Sequence, residues 1–225
     1  METSLHRSLK ERYGTLGGGR CEVAVAGFRI DAVAEDGTLI EIQSAGLGNL
    51  KPKLRRLLPH HRVRVIRPIV LRRVVVRREH ADGPDLSRRR SPKLGSLVDA
   101  FDDLVGLASL LPDRNLSVEL LGVTIEEIRV SRRRRPGFAV VDRRLDAVVD
   151  SVSIVLAADL WNLLPLGFPT TEPFTTADLA RKLGRSLPFA QRVAYCLRLA
   201  GAVETVGKRG NSLIYEAQDD VVLMR

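Results

Sequence analysis

The chain is expected to fold as an α/β protein: a mixed β-sheet flanked by helices, followed by a smaller tail of helices and a hairpin. Three observations predict this. Leu5, Leu9 and Tyr13 recur every four residues, as on one face of a helix. Three short stretches then alternate, over 21–26, 28–33 and 38–43, as strands do. Helical spacing returns at Leu50, Leu54, Leu57 and Leu58, before β-branched runs resume at 63–66 and 71–76. A helix crossing between strands makes the strands on either side of it parallel, so the sheet is mixed.

Each element has a local cause. Gly14 ends the opening helix, and Gly17, Gly18 and Gly19 form a loop. Gly27 breaks the first strand. Ala34-Glu35-Asp36-Gly37 joins the next two as a tight Asp-Gly turn. A loop over 44–48 leads into a helix over 49–60. Pro52 fixes its start, since proline is tolerated only in a first turn. Lys51, Lys53, Arg55 and Arg56 occupy the circumference left by the leucines. Beyond residue 81 come an Asp82-Gly83-Pro84-Asp85 turn and a basic loop from Arg88 to Lys93. A helix over 94–111, a strand over 116–123 and a second basic loop from Arg132 to Gly137 follow. Residues 139–155 fit a helix by the spacing of Val141, Leu145, Val148 and Val149, and strands by β-branched content.

The tail opens on a short helix over 157–164. Thr175 or Thr176 caps a helix that runs to Leu183 and ends at Gly184. Ser186 caps a second one, with Pro188 in its first turn. Its apolar stripe is Ala190, Val193, Ala194, Leu197 and Ala200, and Gly201 stops it. Strands over 202–206 and 212–217 flank the turn at 207–211. The expected organisation is therefore a core over 1–80, a basic linker and bridging region over 81–150, and the tail over 151–225.

Lys and Arg total 36 against 27 Asp and Glu, a net charge of +9. Such an excess favours a polyanionic partner, DNA first, because phosphate contacts attract independently of sequence. No apolar run reaches the roughly 18 residues of a membrane span. The N-terminus lacks a signal-peptide pattern, so the expected location is the cytoplasm, with no membrane partner. Cys21 and Cys196 stand far apart and form no Cys-x-x-Cys pair, which argues against a disulfide framework or a zinc site. His60-His61, near a helix C-terminus, reads as a dipole-stabilised surface pair.

The candidate chemistry lies in Asp31, Glu41 and Gln43. Alternation puts Glu41 and Gln43 on one face of their strand and Ile40 and Ile42 on the other. An acid on one strand and an acid plus an amide on its neighbour are able to converge on one divalent cation. With the helix–strand–strand–strand–helix–strand order, this pattern resembles the PD-(D/E)xK, or restriction endonuclease-like, nuclease superfamily over residues 1–78. The resemblance implies an acidic pair, Asp31 and Glu41, holding Mg²⁺ (or Mn²⁺), with Gln43 standing where the family usually has Lys. Gln43 is able to orient a water but carries no charge. Neighbouring cations such as Lys51 or Lys53 would then matter more. Glu2, followed by Leu5 and Leu9, matches an acid carried on the opening helix of some branches; Glu11 is the runner-up.

The tail, over 155–217, resembles winged-helix DNA-binding domains. That implies a recognition helix from Ser186 to Ala200 presenting Gln191, Arg192, Tyr195 and Arg198, and a wing presenting Lys208 and Arg209. Lys51, Lys53, Arg55, Arg89, Arg90 and Lys93 are the further expected DNA contacts, Lys93 through a Ser91-Pro92-Lys93 helix start. The whole chain also resembles bacterial proteins that carry a Leu-His-x-x-Leu-Lys opening (Leu5 to Lys10), a Glu-Ile-Gln strand (Glu41 to Gln43) and a winged-helix tail. The expectation that follows is a Mg²⁺-dependent DNA endonuclease, able to act as a homodimer. The alternatives are a non-catalytic DNA-binding regulator with a degenerate nuclease core, and a winged-helix protein-interaction module.

Overall fold

A computed structural model describes residues 2–135, 137–165, 167–168 and 172–218. Pro136 of the second basic loop and the end of the C-terminal region lie outside these. The chain divides into two compact units that interleave along the sequence. One comprises Met1–Ser44, Val65–Leu97 and Leu120–Ser151; the other comprises Ala45–Arg64, Val98–Glu119 and Val152–Arg225.

The first unit carries helix α1 (Ser4–Tyr13) and strands β1 (Arg20–Val25), β2 (Phe28–Val33) and β3 (Leu39–Ile42). It also holds β5 (Asp85–Arg90) and most of three long strands, β4 (Val63–Arg78), β6 (Leu116–Ser131) and β7 (Phe138–Ile154). Together they form a mixed sheet in the order β1-β2-β3-β4-β6-β7, with β5 paired to β4. Strands β1, β2 and β3 are an antiparallel meander. The β2–β3 turn is built as expected. Gly37 adopts φ +82°, and Asp36 accepts a hydrogen bond from the Thr38 N–H at 3.0 Å. Leu5 and Leu9 of α1 pack with Ala32, Ile40, Ile42, Ile66, Leu121, Val123 and Ile125 to make the core of this unit. It is an aliphatic core, as the small aromatic content requires.

Two elements differ from expectation, and residues 139–155, which fit either a helix or strands, are decided. The two short strands at 63–66 and 71–76 are one strand, β4, which carries Pro68 within it. Proline lacks an N–H, and is accommodated in a strand where the ladder asks for no donor. Residues 139–155 are strand rather than helix: β-branched residues prefer the pleated surface, and β7 runs unbroken from Phe138 to Ile154. The first basic run is also strand, since Arg88, Arg89 and Arg90 lie on β5 and pair with Val76, Val75 and Val74.

The second unit holds α2 (Lys51–Leu57), entered through a 3₁₀ turn at Leu47–Leu50, and α3 (Phe101–Leu104). The expected helix over 94–111 is broken into 3₁₀ turns at Leu97–Ala100 and Ala108–Leu110 around the single α-turn of α3. Gly106 explains the interruption: a Cβ there would fall 2.5 Å from the Gly48 nitrogen, so the chain needs glycine for a close backbone approach. The tail contributes β8 (Phe174–Thr175), α4 (Thr176–Leu183), α5 (Leu187–Leu199), β9 (Val203–Arg209) and β10 (Ser212–Ala217). The three strands form an antiparallel sheet in the order β8-β10-β9. Thr175 caps α4 in a reciprocal box with Asp178, whose carboxylate accepts from the Thr175 N–H at 3.0 Å. Helix α5 buries Ala190, Val193, Ala194 and Leu197, the stripe that helical spacing marks out.

Candidate functional site

Helix α1 carries two stripes one residue apart. Leu5 and Leu9 face the core, and His6 and Lys10 follow them one turn apart along the flank. The start of the helix is anchored. The Ser4 N–H and hydroxyl both donate to the Asp142 carboxylate on β7, at 2.9 and 2.7 Å. The Thr3 side chain caps the first turn.

Asp31 stands where the β2–β3 ladder stops. Ala32 pairs with Ile40 and Val33 with Leu39. One residue further on, the Asp31 carboxylate takes the place of backbone, accepting from the Ile42 N–H at 2.8 Å. Its other oxygen lies 3.3 Å from His6 Nε2. Lys10 Nζ reaches Glu2 at 2.8 Å and Glu22 at 2.6 Å, and Arg29 reaches the second Glu22 oxygen at 2.5 Å. Glu22 sits between the Cys21–Ala32 and Val23–Ile30 pairs, on the rung that Asp31 would share, and its φ is +57°. A left-handed conformation at a residue other than glycine is unfavourable by about 1 kcal/mol or more, and such strain gathers at functional sites. Glu2, His6, Lys10, Glu22, Arg29 and Asp31 border a cleft of about 290 Å³.

The charges are mutually fixed. Burial alone would raise the Asp31 carboxyl, but the His6 ring and the Ile42 N–H outweigh it and hold it below the usual carboxylate range. Burial alone would lower Lys10, but Glu2 and Glu22 outweigh it and raise the ammonium. Lys10 and then Arg29 hold Glu22 down. A depressed folded value makes Asp31 stabilising above its ordinary value of 3.8, an effect lost as pH falls through the folded value. Asp31→Asn is therefore expected to remove part of the stability lost on acidification below the ordinary value of 3.8, read as a flatter dependence of melting temperature on pH. An unchanged dependence would show that Asp31 is not held this way.

The expected metal set is not assembled around this cleft. Glu41 is only 5% exposed, and neither Glu41 nor Gln43 borders the cleft. The Gln43 N–H donates to the Ile66 carbonyl at 2.9 Å, and its carbonyl accepts from Arg67 at 3.0 Å. Among the described residues, no three His, Cys, Asp or Glu side chains are grouped so as to hold a metal ion. Asp31 is engaged by the His6 ring and Glu2 by Lys10, so as arranged they do not fit Mg²⁺, which asks for free oxygen ligands in near-octahedral array. Of the acids named from sequence, Glu2 joins Asp31 at the cleft, while Glu11 is exposed.

His6, Lys10 and Glu22 were not among the candidates drawn from sequence. The signal for the first two is the Leu-His-x-x-Leu-Lys opening itself, where each polar residue directly follows a core leucine. Glu22 has no comparable signal, because its role depends on a backbone angle.

The expected DNA contacts fall in several places. Lys51, Lys53 and Arg55 lie on α2, in the second unit. Arg89 and Arg90 are exposed on β5. Lys93 is exposed, but no helix starts there: the first helical turn begins at Leu97, so the expected helix N-terminus is absent from this position. On α5, Gln191, Tyr195 and Arg198 are exposed together on one face. Arg192, expected to face outward, is half-buried and bonded to Asp102 at 2.6 Å. Lys208 and Arg209 are exposed at the end of β9, beside a turn in which Gly210 has φ +61°.

Comparison with known proteins places this chain in a family. Residues 3–155 match the family model described as Domain of unknown function (DUF8091). A protein of Treponema pallidum (strain Nichols), described as an uncharacterized protein, is 36% identical over 228 aligned residues that cover 96% of this chain and 86% of the relative. No solved structure matches.

Proposed function

We propose, for a chain that belongs to the family described as Domain of unknown function (DUF8091), that it binds duplex DNA, with a restriction endonuclease-like core and a winged-helix tail. The observation that carries the reading is in the tail. Gln191, Tyr195 and Arg198 share the exposed face of α5 while Lys208 and Arg209 end the β9 strand. A helix whose apolar stripe is buried and whose other face offers an amide, a phenol and a guanidinium suits a major groove. A hairpin ending in two cations suits backbone phosphates. The two helices followed by the hairpin, with β8 completing a three-stranded sheet, support the winged-helix comparison. The net charge of +9 supplies the sequence-independent attraction. Binding of a labelled duplex, followed by anisotropy over a range of salt, tests the reading. Affinity is expected to fall linearly with salt on logarithmic axes. Absent or salt-insensitive binding contradicts it.

A second reading, metal-dependent DNA cleavage, is favoured by Asp31. Its carboxylate is held ionised at the end of the β2–β3 ladder, and Lys10 adds positive charge beside it, a charge that Gln43 lacks. In this reading Lys10 and Arg29 would draw a phosphate toward the cleft, and Asp31 with His6 would orient a water. Binding of Mg²⁺ there would require His6 and Lys10 to release Asp31 and Glu2. The test is nicking of supercoiled DNA in Mg²⁺ or Mn²⁺, abolished by Asp31→Ala and by Lys10→Ala. No nicking, or nicking that survives both substitutions, sinks this reading and leaves DNA binding intact.

A further inference from the structure

A second cleft in the first unit has a different character. It measures about 690 Å³ and is bordered by Arg72 and Arg73 of β4 and Arg88, Arg89 and Arg90 of β5, with Asp146 as the acid on its wall. Strands β4 and β5 pair antiparallel, with Val74 opposite Arg90 and Val76 opposite Arg88, which gathers the five guanidiniums onto two adjacent strands. They are not equivalent. Arg73 is held at 3.1 Å by Glu127, a carboxylate 1% exposed that also takes Arg129 and Arg143. Arg88 is paired with Glu126, the neighbouring residue on β6. Asp146 is engaged by the Thr124 hydroxyl at 2.9 Å. Arg72, Arg89 and Arg90 are exposed and, among the described residues, have no acidic partner.

Guanidiniums repel one another, and a chain gathers them without acids where an external anion completes the site. Here Glu126 and Glu127 fix two of the five, leaving three free to meet a ligand. Arg90 shares a face with Val74 opposite it and with Arg72 two residues before Val74, so Arg72 and Arg90 are diagonal neighbours roughly 7–8 Å apart, while Arg89, on the other face of β5, also borders the cleft. The spacing of Arg72 and Arg90 is comparable to the separation of adjacent phosphates along one DNA strand, which is well above the roughly 3.4 Å of axial rise because each step also turns about the axis. The cleft is also several times larger than a single phosphate group requires.

We propose that this arginine cleft is a phosphate-backbone site for a DNA strand, with Arg72, Arg89 and Arg90 as the contacting cations and Glu126 and Glu127 as positioning residues for Arg88 and Arg73. The inference rests on the DNA-binding reading and locates a contact face on the core, apart from the α5 and β9 residues.

The test compares wild type with two triple variants, Arg72→Gln/Arg89→Gln/Arg90→Gln and Arg72→Lys/Arg89→Lys/Arg90→Lys, in duplex binding over a range of salt. The glutamine variant is expected to melt like wild type, because the three side chains are exposed. It is also expected to lose two to three contacts from the salt slope, about one per phosphate, and roughly a hundredfold in affinity at low salt. The lysine variant is expected to keep most of the slope. A glutamine variant that binds with the wild-type slope overturns the inference and leaves the DNA reading standing, whereas a wild type that does not bind removes both. A lysine variant as weak as the glutamine variant also overturns it, since charge would not then be the cause. Inorganic phosphate is expected to compete no better than chloride at equal ionic strength. Displacement of DNA by phosphate well beyond that would assign the cleft to a free phosphate group instead of a strand.

Discussion

Leu9→Ala is expected to destabilise the first unit by about 3 kcal/mol, within the range measured for leucine truncation in well-packed cores. Leu9 is fully buried, among Leu5, Ala32, Ile40 and Ile42, so the cavity opens between α1 and the sheet that the helix covers. The consequence reaches the cleft. Lys10 is the next residue and His6 lies one turn back, and both depend on the docking of α1 to reach Glu22 and Asp31. Chemical unfolding measures the loss. Chemical shifts of the His6 ring are expected to move toward those of a free imidazole in the variant. A loss under about 1 kcal/mol would show that α1 is not held by this leucine.

Replacing Arg198, Lys208 and Arg209 together by alanine is expected to weaken duplex binding roughly a hundredfold at low salt, at about 1 kcal/mol for each contact. Folding is expected to be untouched, because all three side chains are exposed. Anisotropy titrations check it. Arg192→Ala offers the contrast: its guanidinium is committed to Asp102, so its loss is expected to register in stability before affinity. If the triple variant binds like wild type, the tail does not dock DNA in the proposed manner.

Much of this architecture was legible in the residues. Leu5, Leu9 and Tyr13 mark α1, the Asp36-Gly37 turn marks the β2–β3 hairpin, and Thr175, Gly184 and Gly201 mark the ends of the tail helices. These are local signals, a period or a cap, and the structure follows them. What was not legible depends on distant partners. The helix expected over 94–111 yields to Gly106, which is placed by Gly48 far away in sequence. The length of β4, β6 and β7 is set by pairing in the sheet rather than by propensity. The interleaved units follow from the same pairing, since neighbouring strands belong to distant stretches of chain.

The site divides in the same way. Asp31 was legible as an acid on the first strand of the hairpin, and the structure places it at a break in the ladder. Glu41, though on the next rung beyond Ile40, is buried and does not border the cleft. Alternation tells which face a residue takes, but not whether that face is open to solvent. Glu127 was not legible because a glutamate next to Glu126 and two residues before Arg129 reads as one more surface charge. Its burial beneath three arginines is a property of the sheet. Burial alone would raise its carboxyl, but Arg129 and Arg143, with Arg73 near, hold it below the usual range, so it stays a carboxylate.

The proposed binding of duplex DNA through its phosphates is open to direct measurement. The most direct measurement is the affinity of the full wild-type chain for a short duplex, by anisotropy, with Ca²⁺ present to keep turnover from intruding, across salt from about 50 to about 200 mM. Tight binding is expected at the low end, with a straight logarithmic decline of slope about −4 or steeper, as several phosphate contacts require. No binding at about 50 mM salt, or an affinity that salt does not change, would contradict it.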